Sequence, residues 1–225
     1  MLIAARSDTH GCLPIYPECD VAVHAGDFSP LECQRDGRKV RRWVKNFMLP
    51  WIAKLPCQRF IFIAGNHDFA CEYPDWKEHW QEMVQEAGLE EKAIYLENES
   101  YLYEGRKFFG CPYSDIPGWA FSISTGNPNG YKYLEPDIDV LIVHQAPDFQ
   151  DLGTSNIGTA WERNFGSKAL LREIELAEPK AVVCGHIHSG NHNPVVNSNW
   201  TRFYNVSFLN EDYEPAYDAT TFVLE

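Results

Sequence analysis

Five short apolar runs along the chain each end in polar or ionisable residues. Leu2–Ala5 leads into "SDTHG", Val21–Ala25 into "GDFS", Phe60–Ala64 into "GNHDF", Val140–Val143 into "HQAP", and Ala181–Cys184 into "GHIHS". The runs are rich in β-branched residues and lack clean alternation, the pattern of strands buried on both faces. Helical spacing falls between them. Val40, Trp43, Val44 and Phe47 recur at helical intervals among Arg38, Lys39, Arg41, Arg42 and Lys45. A second helix is expected between Asp75 as N-cap and Gly88 as C-cap, and a third from Ser167 to just before Pro179. Residues 93–112 alternate around turn signals at Glu97-Asn98 and Glu104-Gly105 and read as hairpins. Residues 201–209 and 220–225 read as two further strands. The result is a mixed α/β fold with crossover and hairpin connections. Residues 115–134, rich in glycine, proline and aromatics, read as a long loop and a candidate lid.

Length changes this picture little: 225 residues suit one domain spanning 1–225. Charge changes it more. The formal net charge is -13, which repels nucleic-acid backbones and anionic membranes at long range. Extended nucleic-acid binding is not expected, and no run approaches the length of a membrane span. The seven cysteines are odd in number and form no C-x-x-C pair, which argues against a zinc ribbon or a disulfide framework. Free thiols in a reducing compartment are expected. With no signal segment at the first residues, the expected location is cytoplasmic.

The chemistry lies at the strand ends. In open α/β sheets, ligands bind beyond the carboxyl ends of strands. Asp8, His10, Asp27, Asn66, His67, His144, His186 and His188 all fall there. One histidine after a strand is more often a satisfied polar residue than a ligand. The same feature after all five runs makes coincidence a poor account. Imidazole, carboxylate and amide donors suit borderline divalent cations, and the absence of thiolates argues against a structural zinc site. Two divalent ions bring four positive charges, of which Asp8 and Asp27 return two. A net positive centre in an acidic protein points to a small anionic phosphoester substrate, with a nucleotide among the candidates.

"DTH", "GD", "GNHD", "VH" and "GHIH" stand in the order and approximate spacing of the calcineurin-like metallophosphoesterase superfamily, which the chain resembles. "VAVHAGDFS", "LPCQRFIFIAGNHDF", "IYLENES", "FFGCPYS" and "DVLIVHQAP" extend the resemblance to the MPPED-type metallophosphoesterase-domain group, over most of the chain. The resemblance implies a four-layer αββα sandwich of two mixed β-sheets flanked by helices. It implies two divalent metal ions per chain, with Mn²⁺ expected and Fe, Zn, Ni, Co or Mg as alternatives. Asp8, His10 and His188 would hold the first ion. Asn66, His144 and His186 would complete the second site, and Asp27 would bridge. His67 would be catalytic, near the leaving-group oxygen. The implied reaction is hydrolysis of small phosphodiesters such as cyclic nucleotides by a metal-bridging hydroxide. A phosphomonoesterase or nuclease of the same fold is the alternative. So is a non-catalytic metal-binding scaffold, although a scaffold is free to lose ligands and all eight positions are filled.

Two departures from family patterns bear on the site. The protein-phosphatase branch reads GDxVDRG where this chain reads "GDFSPLE", so the Asp that partners the catalytic His there falls at Pro30. Asp68 is the nearest candidate in sequence to orient His67. The common "HGPP" loop is "HQAP" here, and Gln145 is expected to narrow the substrate site. Other features have two readings. His24 either supports a ligand or packs in its strand. The Arg38–Lys45 cluster reads first as a solvated helix face. Trp119, Phe121 and Tyr131 offer faces on which a base can stack, or pack within their loop. His79 and His192 show no partner in the sequence.

Overall fold

Burial on both faces sets the architecture: every residue of the strands formed by Val21–Ala25, Val140–Val143 and Ala181–Cys184 is buried. A computed structural model describes residues 1–123 and 130–225. The chain runs β1 (Leu2–Arg6), β2 (Val21–Ala25), α1 (Gly37–Trp43), α2 (Leu49–Lys54), β3 (Arg59–Ile63), α3 (Trp76–Ala87), β4 (Ala93–Tyr95), β5 (Glu99–Tyr103) and β6 (Arg106–Cys111). It continues with β7 (Val140–Val143), β8 (Thr154–Ser155), β9 (Arg163–Asn164), α4 (Lys168–Ala177), β10 (Ala181–Cys184), β11 (Val195–Val196), β12 (Arg202–Asn205) and β13 (Thr220–Val223).

Two mixed sheets result, in the orders β13-β1-β2-β3-β4 and β11-β12-β10-β7-β6-β5, with β8 and β9 forming a separate ribbon. In the first sheet only β13 is antiparallel to its neighbour. In the second, β12, β10, β7 and β6 are parallel, and β5 and β11 are antiparallel edges. Alternation along β3 shows how the layers form. Ile61 and Ile63 face the second sheet with Val23, Val140 and Val183. Phe60 and Phe62 face outward under Val40, Ile52, Trp76 and Trp80 of the helices. On the other side, Leu170 and Ile174 of α4 cover Leu141, Val182 and Phe203. This is the αββα order that the resemblance implies.

Local chemistry explains the helix ends. Ser167 caps α4, its hydroxyl accepting from the Leu170 N–H at 3.1 Å. Gly88 ends α3 in the left-handed conformation that a side chain disfavours. Asp75 precedes α3 but makes no cap bond; its carboxylate pairs instead with Arg41 and His79. Between α1 and α2 the helix widens to a π-turn over Val44–Met48, and the Leu49 N–H bonds the Val44 carbonyl. Pro50 explains it, since its ring lacks an N–H and clashes with the carbonyl four residues back in a regular α-helix.

One sequence expectation fails here. Residues 93–112 do not form consecutive hairpins. β4 joins the first sheet beside β3, whereas β5 and β6 pair in the second. The chain crosses between sheets at Glu97-Asn98, and only Glu104-Gly105 is a hairpin turn. Of the expected 115–134 lid, residues 124–129 lie outside the described residues.

Candidate metal centre

The parallel strands β1, β2, β3, β7 and β10 end side by side, so the residues that follow them converge. Asp8, His10, Asp27 and His186 have φ of 52°, 43°, 59° and 71°, in the left-handed region that non-glycine residues rarely adopt. The chain turns sharply after each strand, and the polar side chains point back over the sheet ends. Such strain persists only where the surroundings fix it.

Three overlapping donor groups form: Asp8, His10 and His188; His10, Asp27 and His67; Asp8, Asp27 and His144. Donor atoms in each lie within 4.8 Å of one another. Asp27 is central. Its Oδ2 is 3.8 Å from His10 Nε2, 3.9 Å from His67 Nε2 and 3.4 Å from His144 Nε2. His188 Nε2 is 3.5 Å from Asp8 Oδ1. Asn66 Oδ1 lies 2.7 Å from His144 Nε2. The His186 ring stands 5.1 Å from the His144 ring, outside the three donor groups, while the His186 backbone N–H donates to the Asp8 carboxylate at 3.0 Å. The "GHIH" stretch is therefore not extended. His186 turns toward His144, His188 toward His10, and Ile187 into the core.

The supports fix ring orientation. His144 Nδ1–H donates to the Ala25 carbonyl at 2.9 Å, and His188 Nδ1–H to that of Asn210 at 2.9 Å. Both leave Nε2 aimed inward, the tautomer a metal ligand needs. Ser207 and Ser7 hydroxyls donate to Asp8 Oδ2. Gly185 is required by closeness: a Cβ there would lie 2.3 Å from Asp8 Oδ2. At Gly65 a Cβ would lie 2.3 Å from Asp27 Oδ1.

The electrostatics suit a cation. Burial opposes ionisation of Asp8, but His188, His144 and His10 outweigh it and hold the carboxyl well below the usual range. Asp27 is likewise lowered, against burial, by His144, His67 and His10. Burial pulls His10 down to about 4 and His186 to about 3, so both are neutral and free to ligate. Neither ring nitrogen of buried His10 has a hydrogen-bond partner. Orphaned buried polar atoms are rare in folded proteins, and a metal ion would satisfy them. Metal–donor bonds of ~2.0–2.2 Å bring ligands of one ion to separations near those found here. The donor set fits divalent cations.

Several sequence expectations change. Asp68 does not touch the His67 ring. It accepts the N–H groups of Asp27, Ser29 and Gly65 at 2.8, 2.9 and 2.8 Å, tying the two loops together. Gln34 orients His67, with Oε1 2.7 Å from Nδ1. Gln145 does not narrow the site. It is buried, accepts from the Asp115 N–H and donates to the Phe165 carbonyl, stapling two loops. Phe121 and Tyr131 are buried in the fold, and only Trp119 reaches the centre, its ring 4.5 Å from that of His67. His24 packs against Phe60 and meets Thr9 at 3.0 Å. His79 pairs with Asp75 and Glu82. His192 stacks on Tyr217 at 3.6 Å and donates to the His188 carbonyl. Arg41 and Lys45 make surface ion pairs, as a solvated helix face does. Tyr213 escaped the sequence reading. Its ring lies 5.1 Å from His10 and 5.3 Å from His188, covering the first donor group. No helix among the described residues is long and apolar enough to cross a membrane.

Comparisons with known proteins agree with this arrangement. The chain is 31% identical to a UPF0046 protein of Caenorhabditis elegans, over 96% of this chain and 78% of that one. It is 28% identical to human Metallophosphoesterase domain-containing protein 1, over 93% of this chain and 66% of the relative. The fold matches that of the phosphopantetheinyl hydrolase PptH of Mycobacterium tuberculosis, with a TM-score of 0.57 at 15% identity over 94% of this chain and 90% of that one. It also matches TT1561 of Thermus thermophilus, with a TM-score of 0.54 at 13% identity over 100% and 99%. The calcineurin-like phosphoesterase family model matches residues 1–190. The chain therefore belongs to the calcineurin-like phosphoesterase family of metal-dependent phosphoester hydrolases.

Proposed function

We propose that the protein is a binuclear phosphodiesterase acting on small phosphodiesters, cyclic nucleotides among them. The observation that carries this reading is the position of Asp27, whose one carboxylate oxygen stands within 4 Å of His10, His67 and His144. Asp8, His10 and His188 would hold one divalent ion, Asn66, His144 and His186 would hold the other, and Asp27 would serve both. The bound ions supply positive charge to the phosphoryl oxygens and acidify the attacking water. His67 does the proton work. Gln34 Oε1 accepts from Nδ1–H, which leaves Nε2 facing the centre. Burial lowers His67 from its ordinary range against the pull of Asp27, so the proton for the leaving oxygen comes from the imidazolium form, which is favoured toward acid pH. Trp119, packed on His67, offers an aromatic face on the leaving-group side. That favours a nucleoside leaving group over a bare phosphate monoester.

The test uses chelated protein reloaded separately with Mn²⁺, Ni²⁺, Zn²⁺ or Mg²⁺, with Mn²⁺ the expected metal. Turnover is compared on a chromogenic diester and monoester, then on 2′,3′- and 3′,5′-cyclic nucleotides. Faster diester turnover supports the proposal. Preference for the monoester under every metal makes the protein a phosphomonoesterase. No turnover in protein that holds two ions makes it a scaffold.

A further inference from the structure

At the amino ends of β2 and β3, on the opposite edge of the sheet from the metal centre, two thiols meet. Val21 pairs with Arg59 at the start of the parallel ladder, and extending that register two residues back, beyond both strands, places Cys19 opposite Cys57. The backbone continues the contact there: the Cys19 N–H donates to the Pro56 carbonyl at 3.1 Å and the Gln58 N–H to that of Asp20 at 3.0 Å. Neighbouring strands lie ~4.8 Å apart, inside the ~4.4–6.8 Å Cα window of a disulfide. Both sulfurs pack against one apolar cluster and lie within hydrogen-bonding reach of each other. Together with Glu18, Pro56 and Gln58 they line an open surface cleft of about 550 Å³. Cys19 is buried and Cys57 half-buried, and both are free thiols.

We infer that Cys19 and Cys57 form an oxidisable dithiol, in which Cys57 reduces a small hydroperoxide and Cys19 closes a reversible disulfide. The two roles follow from position. Cys57 is half-buried where Cys19 is buried, so it is the more accessible of the two residues lining the cleft. The hydrogen bond from Cys19 holds the Cys57 thiol below the ordinary cysteine range; burial opposes this and Lys92 adds to it. The Lys92 ammonium is fixed there by the Leu55 and Ala53 carbonyls. Cys19, the buried partner, stays protonated. The Cys57 thiolate attacks one peroxide oxygen, the O–O bond breaks, and the departing hydroxide is protonated to water. Cys19 sulfur then attacks Cys57 sulfur, the S–O bond breaks, and the hydroxide leaves with the Cys19 proton. Two thiols and one hydrogen peroxide become one disulfide and two waters.

The test treats the folded, metal-loaded chain with hydrogen peroxide, quenches it, alkylates the remaining thiols and maps digested peptides by mass spectrometry. The expected product joins the Cys19 and Cys57 peptides with the loss of two hydrogens, and dithiothreitol reverses it. Cys19→Ser should form no link and should accumulate Cys57 sulfenic acid, trapped by dimedone. Oxidation of the exposed Cys12 with no Cys19–Cys57 link in the wild-type chain would overturn the inference. So would a link that appears only in urea. The wild-type map decides the matter even where a variant fails to fold.

Discussion

His67 stands on the donor group with Nδ1 committed to Gln34 and Nε2 3.9 Å from Asp27 Oδ2, and among the described residues Nε2 makes no hydrogen bond. His144 and His188 show the same arrangement, so what sets His67 apart is its place: it is half-buried at the rim of the centre, against Trp119, where a leaving group can reach it. His67→Ala should therefore retain bound metal and lose turnover by ~10²–10⁴-fold, the usual worth of general-acid help. The loss should be greatest on diesters with poor leaving groups. Metal content by mass spectrometry and kcat across a leaving-group series check this; metal loss in parallel with activity would make His67 a ligand. Asp27→Asn acts on the ions themselves. One of its oxygens faces His10 and His144 together, so titration of the variant with Mn²⁺ should show weaker binding at both sites. Two ions held as tightly as in wild type would remove Asp27 from the bridge. At this scale the sequence exposes donor types well, because apolar runs that end in Asp, Asn and His are visible without a fold. Gln34, Tyr213 and the Asn210 carbonyl are not visible, and Trp119 is visible only as one of three loop aromatics. They reach the centre from loops whose direction is set by contacts distant in sequence, such as Arg35 over Phe69 and Trp119.

Elements carry a different kind of information. Ser167 and Gly88 were readable as helix boundaries because capping chemistry is local. Ser167 is also the residue through which α4 is tied to the β7 side: its N–H donates to the Ala146 carbonyl at 2.9 Å. Ser167→Ala removes the cap bond to Leu170 and should cost about 1 kcal/mol of stability. Urea unfolding measures this, and kcat with metal saturating should stay at the wild-type value, since α4 covers the far face of the second sheet. The crossing at Glu97-Asn98 was not readable for an equally physical reason. Alternation of apolar and polar residues states that a segment is a strand with one face buried, but not which sheet receives it. Neither Ala93-Ile94-Tyr95 of β4 nor Glu99–Tyr103 of β5 names its sheet, and the packing of Leu96 among Ile61, Ile63 and Phe108 between the sheets reveals that the chain changes layer there.

For the whole molecule, the metal centre makes stability and pH inseparable. In the metal-free chain burial lowers His144 and His188, but Asp27 and Asp8 respectively outweigh it and raise each to about 9. Burial lowers His10 to about 4, and His24 and His186 to about 3. All five return to about 6.5 on unfolding. Between pH about 4 and 6.5 the unfolded chain binds more protons at His10, His24 and His186, which outnumber the one proton that the buried Asp68 carboxyl, raised to about 7 by burial, keeps in the folded chain, so stability rises with pH. Between about 6.5 and 9 the folded chain binds more protons at His144 and His188, so stability falls as pH rises. Chelated protein should therefore be most stable near pH ~6.5, with urea midpoints lower at about pH 5 and about pH 8.5. Metal reverses the alkaline limb alone. Ligation needs neutral imidazoles, so binding expels the two protons that His144 and His188 retain, and affinity climbs across the same interval. Mn²⁺-loaded protein should gain resistance to urea from about pH 6.5 to 8.5, where the chelated protein loses it. Parallel curves for the two forms would mean that the protons and the ions do not compete for the same nitrogens.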